Sequence, residues 1–158
     1  MKPGTFTQLY VQLVFAVKYR ECLLTEKHRA EVFSYVSGIV TNLGHKSLIV
    51  NGFSDHVHIL FGVNPSISIS DTVSNIKKSS SYFINEQNWF TGKFKWQDGY
   101  GAFSYCKDQI KRVYEYIKNQ EDHHQSNTFR NEFLLFLKEA GIVYDNRFLF
   151  EFYNDINK

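Results

Sequence analysis

SLIVNGFSDHVHILFGV, residues 47–63, reads as two short strands folded back on each other. Ser47 to Phe53 and Asp55 to Val63 are rich in β-branched and large apolar residues, and Gly52 to Ser54 supplies the turn between them. Side chains two apart on a strand share a face, so His56, His58 and Leu60 point one way while Val57, Ile59 and Phe61 point the other, into a core. A hairpin with one strongly apolar face needs further strands beside it and helices over it.

Upstream, Leu9, Val11, Leu13, Phe15 and Val17 alternate with Tyr10, Gln12 and Ala16, which predicts a first strand, and Lys18-Tyr19-Arg20 leaves it as a basic loop. Thr25 can cap a helix with the stripe Val32, Val36, Ile39, Val40 and Leu43, stopped by Gly44. Downstream, Ser70 can cap a second helix through Val73, Ile76, Phe83 and Ile84, and a fourth strand falls near Tyr100 to Tyr105. A helix with the stripe Cys106, Ile110, Val113 and Ile117 follows. A last helix, capped by Asn127, carries Phe129, Phe133, Phe136 and Leu137 and ends at Gly141. The order strand, helix, strand, strand, helix, strand predicts an α+β fold: a ferredoxin-like (RRM-like) antiparallel sheet with helices on one face, plus C-terminal helices. Two prolines and no low-complexity stretch predict a single domain over 1–158, with a core of about 6–138 and an extension of about 139–158 that packs onto the body or a partner.

Net charge is only +2, but its distribution is uneven. Lys77 to Arg112 carries seven basic residues against three acidic ones, whereas Glu121 to Lys158 carries seven acidic against four basic. A basic middle and an acidic tail suit a polyanion contacted by one face. With 15 Phe, 10 Tyr and 2 Trp there are rings enough for a core and for stacking on unpaired bases. Cys22 and Cys106 have no paired spacing, which argues against a disulfide framework or a zinc ribbon. No signal-peptide layout or membrane-length apolar run is present, so a bacterial-type cytoplasm is the expected compartment.

His56 and His58 sit close enough on one strand face to share a divalent metal, though a pair of surface histidines has the same pattern. Tyr116 and Gln120 are one helical turn apart, on the shoulder of the apolar stripe. A nucleophile that must reach a substrate belongs there, and so does a boundary tyrosine. His123 and His124, as sequence neighbours on a helix, point about 100° apart and would chelate one ion poorly. Hydrogen bonding or contact with DNA phosphate suits them better.

Together these segments resemble a known family. Asp55-His56-Val57-His58-Ile59-Leu60 is similar to the His–hydrophobic–His motif of single-tyrosine HUH nucleases. Tyr116-Ile117-x-Asn119-Gln120, followed by His123-His124, resembles the catalytic helix of the IS200-like transposases that mobilise small hairpin-ended bacterial insertion sequences. Lys18-Tyr19-Arg20 and the run Trp96 to Ser104 match the same family, and the likeness extends from about residue 6 to 138. The resemblance implies a DNA transposase that cleaves and rejoins single-stranded DNA through a 5′-phosphotyrosine. Tyr116 would be the nucleophile, with His56, His58 and Gln120 as metal ligands. It further implies a homodimer and a substrate with hairpin ends. The alternative is a non-cleaving single-stranded nucleic-acid-binding domain derived from such an enzyme.

Mg²⁺ prefers oxygen ligands and imidazole suits Mn²⁺ better, so Mg²⁺ is expected in cells, where it is abundant, with ready substitution by Mn²⁺. Arg20, Lys77, Lys78, Lys93 and Lys95 are candidates for phosphate contacts, and Tyr82, Trp89, Phe90, Trp96 and Tyr100 for base stacking.

Overall fold

The fold comes from a computed structural model, which describes residues 2–153. The last five residues of the expected closing segment, 154–158, lie outside the described residues. In chain order the elements are β1 (Tyr10–Ala16), α1 (Glu26–Asn42), β2 (Lys46–Gly52), β3 (His56–Gly62), α2 (Ile69–Glu86), β4 (Gly101–Tyr105), α3 (Lys107–Lys118), α4 (Gln120–Ser126) and α5 (Phe129–Glu139). Short 3-10 turns at Arg20–Cys22 and Asn146–Phe148 complete them.

The four strands form one sheet in the order β2-β3-β1-β4, every pair antiparallel, which is the expected ferredoxin-like arrangement. β3 is interior, so the histidine strand is hydrogen-bonded on both sides. Val14 of β1 and Asn51 of β2 both stand opposite His58, and Ala16 stands opposite His56.

The two faces of the sheet are covered differently. Leu13, Phe15, Val57, Ile59 and Phe61 point to one side and are buried with Val32, Val36 and Val40 of α1 and Val73 and Ile76 of α2. Full burial of each such side chain contributes roughly 1.5–3 kcal/mol. The other side carries Gln12, His56, His58, Leu60 and Phe103. α3 covers it at Leu60 through Val113 and Ile117. α5 covers it at Phe103, whose ring lies 6.5 Å from Phe133 and 5.4 Å from Phe136. Gly101 makes that approach possible, because a Cβ there would sit 2.9 Å from the Phe133 ring.

Two expected caps shift. α2 is capped by Ser68, whose hydroxyl accepts from the Asp71 amide, rather than by Ser70. α5 is capped by Thr128 through the Asn131 amide, rather than by Asn127. Ser70 already lies inside α2, and Thr128 is the residue whose hydroxyl reaches the third amide of α5. The tail packs onto the body as far as it is described. Phe150 and Tyr153 are buried, and Gln97 clamps Glu151 by donating to its carbonyl at 2.8 Å and accepting from its amide at 2.7 Å. No helix among the described residues is long and apolar enough to cross a membrane.

Candidate metal and nucleophile site

His56 and His58 face the same side of β3, as the strand period requires, with ring centroids 5.0 Å apart and no exposed surface. Each ring is fixed by its outer nitrogen. His56 Nδ1 donates to Asp55 Oδ1 at 2.7 Å, and His58 Nδ1 to Gln12 Oε1 at 2.7 Å. Both Nε2 atoms are thereby turned inward with their lone pairs, the usual preparation of metal-binding imidazoles by a neighbouring acceptor. Phe129 stacks flat on His56 at 4.0 Å and 1°.

Tyr116 and Gln120 reach this point from two helices, not one. α3 ends at Lys118, and Asn119 departs from helical geometry at φ −97° and ψ 24° before α4 begins at Gln120. Asn51, beside His58 in the sheet, explains the break. Its amide donates to the Ile117 and Lys118 carbonyls at 3.0 and 3.1 Å, which takes up helix-end acceptors and ties them to β2. The two side chains still meet, because both bind one carboxylate. The Tyr116 hydroxyl donates to Glu132 Oε2, and Gln120 Nε2 donates to the same oxygen at 3.0 Å.

Glu132 is the centre of the cluster. Its Oε1 lies 2.9 Å from His58 Nε2 and 3.5 Å from His56 Nε2. Gln120 Oε1, turned away from Glu132 by the donation of its amide nitrogen, lies 2.9 Å from His56 Nε2 and 3.1 Å from His124 Nε2. His124 Nε2 also lies 3.4 Å from Glu132 Oε2, while its Nδ1 donates to the Asn127 carbonyl at 2.9 Å. His123 stacks on the Tyr116 ring at 4.5 Å.

The charges respond in opposite senses. Burial opposes ionisation of Glu132, but His58, His124 and His56 outweigh it and hold the carboxyl well below the usual range. Burial and then the Glu132 charge push the Tyr116 phenol above its ordinary value, so the resting hydroxyl keeps its proton. For His56, burial is outweighed by Asp55 and Glu132, and the ring is raised; for His58, burial prevails and the ring is lowered.

A count of hydrogens tests whether a cation fits. The six ring nitrogens of His56, His58 and His124 all face oxygens, yet three neutral imidazoles supply only three N–H groups. Inward-facing lone pairs oppose oxygen lone pairs unless extra protons or a cation lie between them. The donor atoms of His56, His58 and Glu132 all fall within 4.8 Å of one another, as ligands of one ion do with bonds of about 2.0–2.3 Å. A divalent ion fits this donor set, and Gln120 Oε1 adjoins it.

The expected DNA contacts divide. Lys78, Lys93 and Lys95 line one open groove with Tyr82, and Tyr100 is 39% exposed. The Arg20 guanidinium lies over the Tyr153 ring at 5.8 Å. One member of the set, Trp96, is corrected, and Lys77, which also lines the groove, is held by the fold. Trp96 is 2% exposed, edge-on to Phe15, and its indole donates to Ser80 Oγ at 2.9 Å, so no face is open to a base. Lys77 donates to the Gln97 and Gly99 carbonyls at 2.7 Å each and lies over the Phe15 ring. Burial, partly opposed by Asp98, lowers its pKa to about 8. Both belong to the packing of the loop before β4.

Glu132 and Gln12 were not singled out from sequence, and His124, expected to hydrogen-bond rather than chelate, joins the cluster through Gln120 and the Asn127 carbonyl. A signal existed for Glu132: it shares the apolar stripe of Phe129, Phe133, Phe136 and Leu137, where a carboxylate has no place without a partner. Gln12 likewise breaks the run of a buried strand.

Residues 5–120 match the sequence model of the family described as "Transposase IS200 like". The ISDra2 transposase TnpA of Deinococcus radiodurans is 25% identical over 126 residues, 75% of this chain and 89% of that protein. The transposase for insertion sequence element IS200 of Salmonella typhimurium is 30% identical over 114 residues, 68% of this chain and 74% of that one. Among solved structures, a Deinococcus radiodurans R1 protein assigned as a transposase superimposes with a TM-score of 0.60 at 24% identity, covering 76% of this chain and 96% of that one. A REP-associated tyrosine transposase bound to a REP hairpin does so with a TM-score of 0.57 at 11% identity, covering 78% and 74%. These two likenesses are of fold. The family match ends at Gln120, so α5 and Glu132 lie beyond it.

Proposed function

The chain belongs to the IS200-like transposase family, and from that premise we propose that this DNA transposase cleaves and rejoins single-stranded DNA at hairpin-marked element ends. Tyr116 is the nucleophile, and His56, His58 and Gln120 hold a divalent metal. The observation that supports this reading best is the meeting of the Tyr116 hydroxyl and the inward Nε2 atoms of His56 and His58 on a single carboxylate.

The Tyr116 oxygen attacks phosphorus, the bond to the 3′ oxygen breaks, and the phenolic proton ends on the released 3′-hydroxyl. The 5′-phosphate stays on Tyr116 as a phosphodiester, which conserves the bond energy until a later 3′-hydroxyl reverses the step. No nucleotide cofactor is needed. A bound Mg²⁺, or Mn²⁺ in its place, would neutralise charge developing on the scissile phosphate. Asp55 and Gln12 orient the two imidazoles, Gln120 is oriented by Glu132 and His124, and His123 steadies the phenol ring from the side. Phe129 and Phe136 of α5 pack against the rings of His56, His58 and Tyr116.

The hairpin in the REP-associated relative supports a hairpin DNA partner here. Lys78, Lys93, Lys95, Tyr100 and Arg20 remain its proposed contacts. A homodimer and the bacterial cytoplasm complete the reading. The test is incubation of the protein with a labelled single-stranded hairpin and Mn²⁺. A denaturation-resistant protein–DNA adduct is expected, absent in Tyr116→Phe. Tight binding without any adduct would favour a non-cleaving single-stranded binding domain.

A further inference from the structure

The proposed reaction gives Glu132 no part beyond orienting Gln120. Glu132 is 2% exposed, comes from a helix outside the family-matched residues, and occupies the space between the phenol and the two imidazoles. A scissile phosphate must touch that same phenol oxygen and the same metal. Both anions cannot be there at once.

We propose that Glu132 is an exchangeable metal ligand: it binds the divalent ion of the DNA-free protein and yields its place to the scissile phosphate. This rests on the reading of the site given above. Three observations support it. First, Glu132 Oε1 lies 2.9 Å from His58 Nε2 and 3.5 Å from His56 Nε2, where a cation would relieve the shortage of hydrogens among the imidazoles. Second, Oε2 accepts from the Tyr116 hydroxyl and from Gln120 at 3.0 Å, as a phosphate oxygen would. Third, a carboxylate and a phosphodiester each carry one negative charge, so the exchange leaves the charge of the buried site unchanged.

A route in exists on the Tyr116 side. A pocket of about 450 Å³ opens there, lined by Tyr116, Glu132 and, one turn before Tyr116 on α3, Arg112. Glu139 lines the same pocket, so a backbone phosphate entering beside the Arg112 guanidinium also passes that carboxylate on its way to Glu132.

The proposal makes two effects of opposite sign from one substitution. In the full chain carrying Tyr116→Phe, so that DNA binds without reacting, Mn²⁺ affinity without DNA is measured by electron paramagnetic resonance. Hairpin affinity is then measured at saturating Mn²⁺. Glu132→Gln, which keeps size and packing, is expected to weaken Mn²⁺ at least tenfold and to tighten the hairpin several-fold. Unchanged or tighter Mn²⁺ binding overturns the ligand role, and weaker hairpin binding overturns the exchange. Should Glu132→Gln fail to fold, Glu132→Asp keeps the charge and shortens its reach; weakened Mn²⁺ binding supports the proposal and unchanged binding overturns it. The double substitution His56→Ala, His58→Ala separates the two levels. Mn²⁺ retained there would remove the metal site itself, whatever Glu132 does.

Discussion

Gly52→Ala should damage the site without touching any residue of it. Gly52 ends β2 and pairs with Val57 at the head of the histidine strand. A Cβ at position 52 would lie 2.2 Å from the His56 carbonyl oxygen, 3.1 Å from its carbon and 3.0 Å from Val57 Cα. Ordinary contact begins at 3.4 Å, so the strands must part by roughly 1 Å, and all three obstacles are backbone atoms that cannot rotate aside. The movement also strains the bond from the Phe53 amide to the His56 carbonyl, 3.1 Å long. Overpacking of about 1–3 kcal/mol and a lost hydrogen bond of ~1 kcal/mol give a loss of about 2–4 kcal/mol. For a domain of this size that is a fall in Tm of roughly 5–12 °C. Since His56 is carried by the displaced backbone, a misplacement on the order of 1 Å should lower the rate of adduct formation by about 100-fold. Thermal melting and a gel assay with labelled hairpin read the two effects. Gly38→Ala is the control: a Cβ there meets nothing within 4 Å, and an alanine inside α1 should stabilise by about 0.5–1 kcal/mol. If Gly52→Ala melted within a degree of the parent and formed adduct at full rate, the claim that this hairpin has no room for a side chain would be wrong.

Other consequences are equally open to measurement. Phe129→Ala removes the ring stacked on His56 and leaves a cavity between α5 and the sheet; a loss of about 3–5 kcal/mol in denaturant unfolding is expected. Lys77 has a folded pKa of about 8, below its unfolded value, so the unfolded chain binds more protons between pH 8 and about 10.5 and this group adds stability as pH rises through that window. Discounted for solvent screening the gain is about 1 kcal/mol, and the stability difference between the parent and Lys77→Met should change by that amount from pH 8 to 10.5. Replacing Lys78, Lys93 and Lys95 together by alanine should weaken hairpin binding and lower the slope of log affinity against log salt by up to about 2. An unchanged slope would remove that groove from the DNA path.

The sheet was legible because its signals are local and periodic. Alternation in β1 and β3 assigns each side chain to a face whatever covers it, so the pairing of His56 with His58 follows from spacing alone. Caps were less legible, since Ser68 and Ser70 offer the same chemistry and only backbone geometry separates them. The helix break at Asn119 could not be read from its own neighbourhood, because Asn51, which holds the Ile117 and Lys118 carbonyls, lies 66 and 67 residues before them on β2. Glu132 escaped for the same reason: its partners come from β3, α3 and α4, and only folding brings a fifth helix against them. Lys77 and Trp96 show the converse. A lysine and an indole beside a basic loop suggest a nucleic-acid surface, but carbonyls and a serine hydroxyl inside the fold take up their polar atoms.

The placement of α5 over the histidines also sets an order in time. Glu132 lies 74 residues after His58, so at about 5–20 residues per second a ribosome completes the histidine strand roughly 4–15 seconds before it delivers the helix that covers it. For those seconds the imidazole pair faces the surrounding solution, and an ion has an unobstructed approach. Access during synthesis and access after release are thus different events for this chain, the second by way of the pocket beside Tyr116.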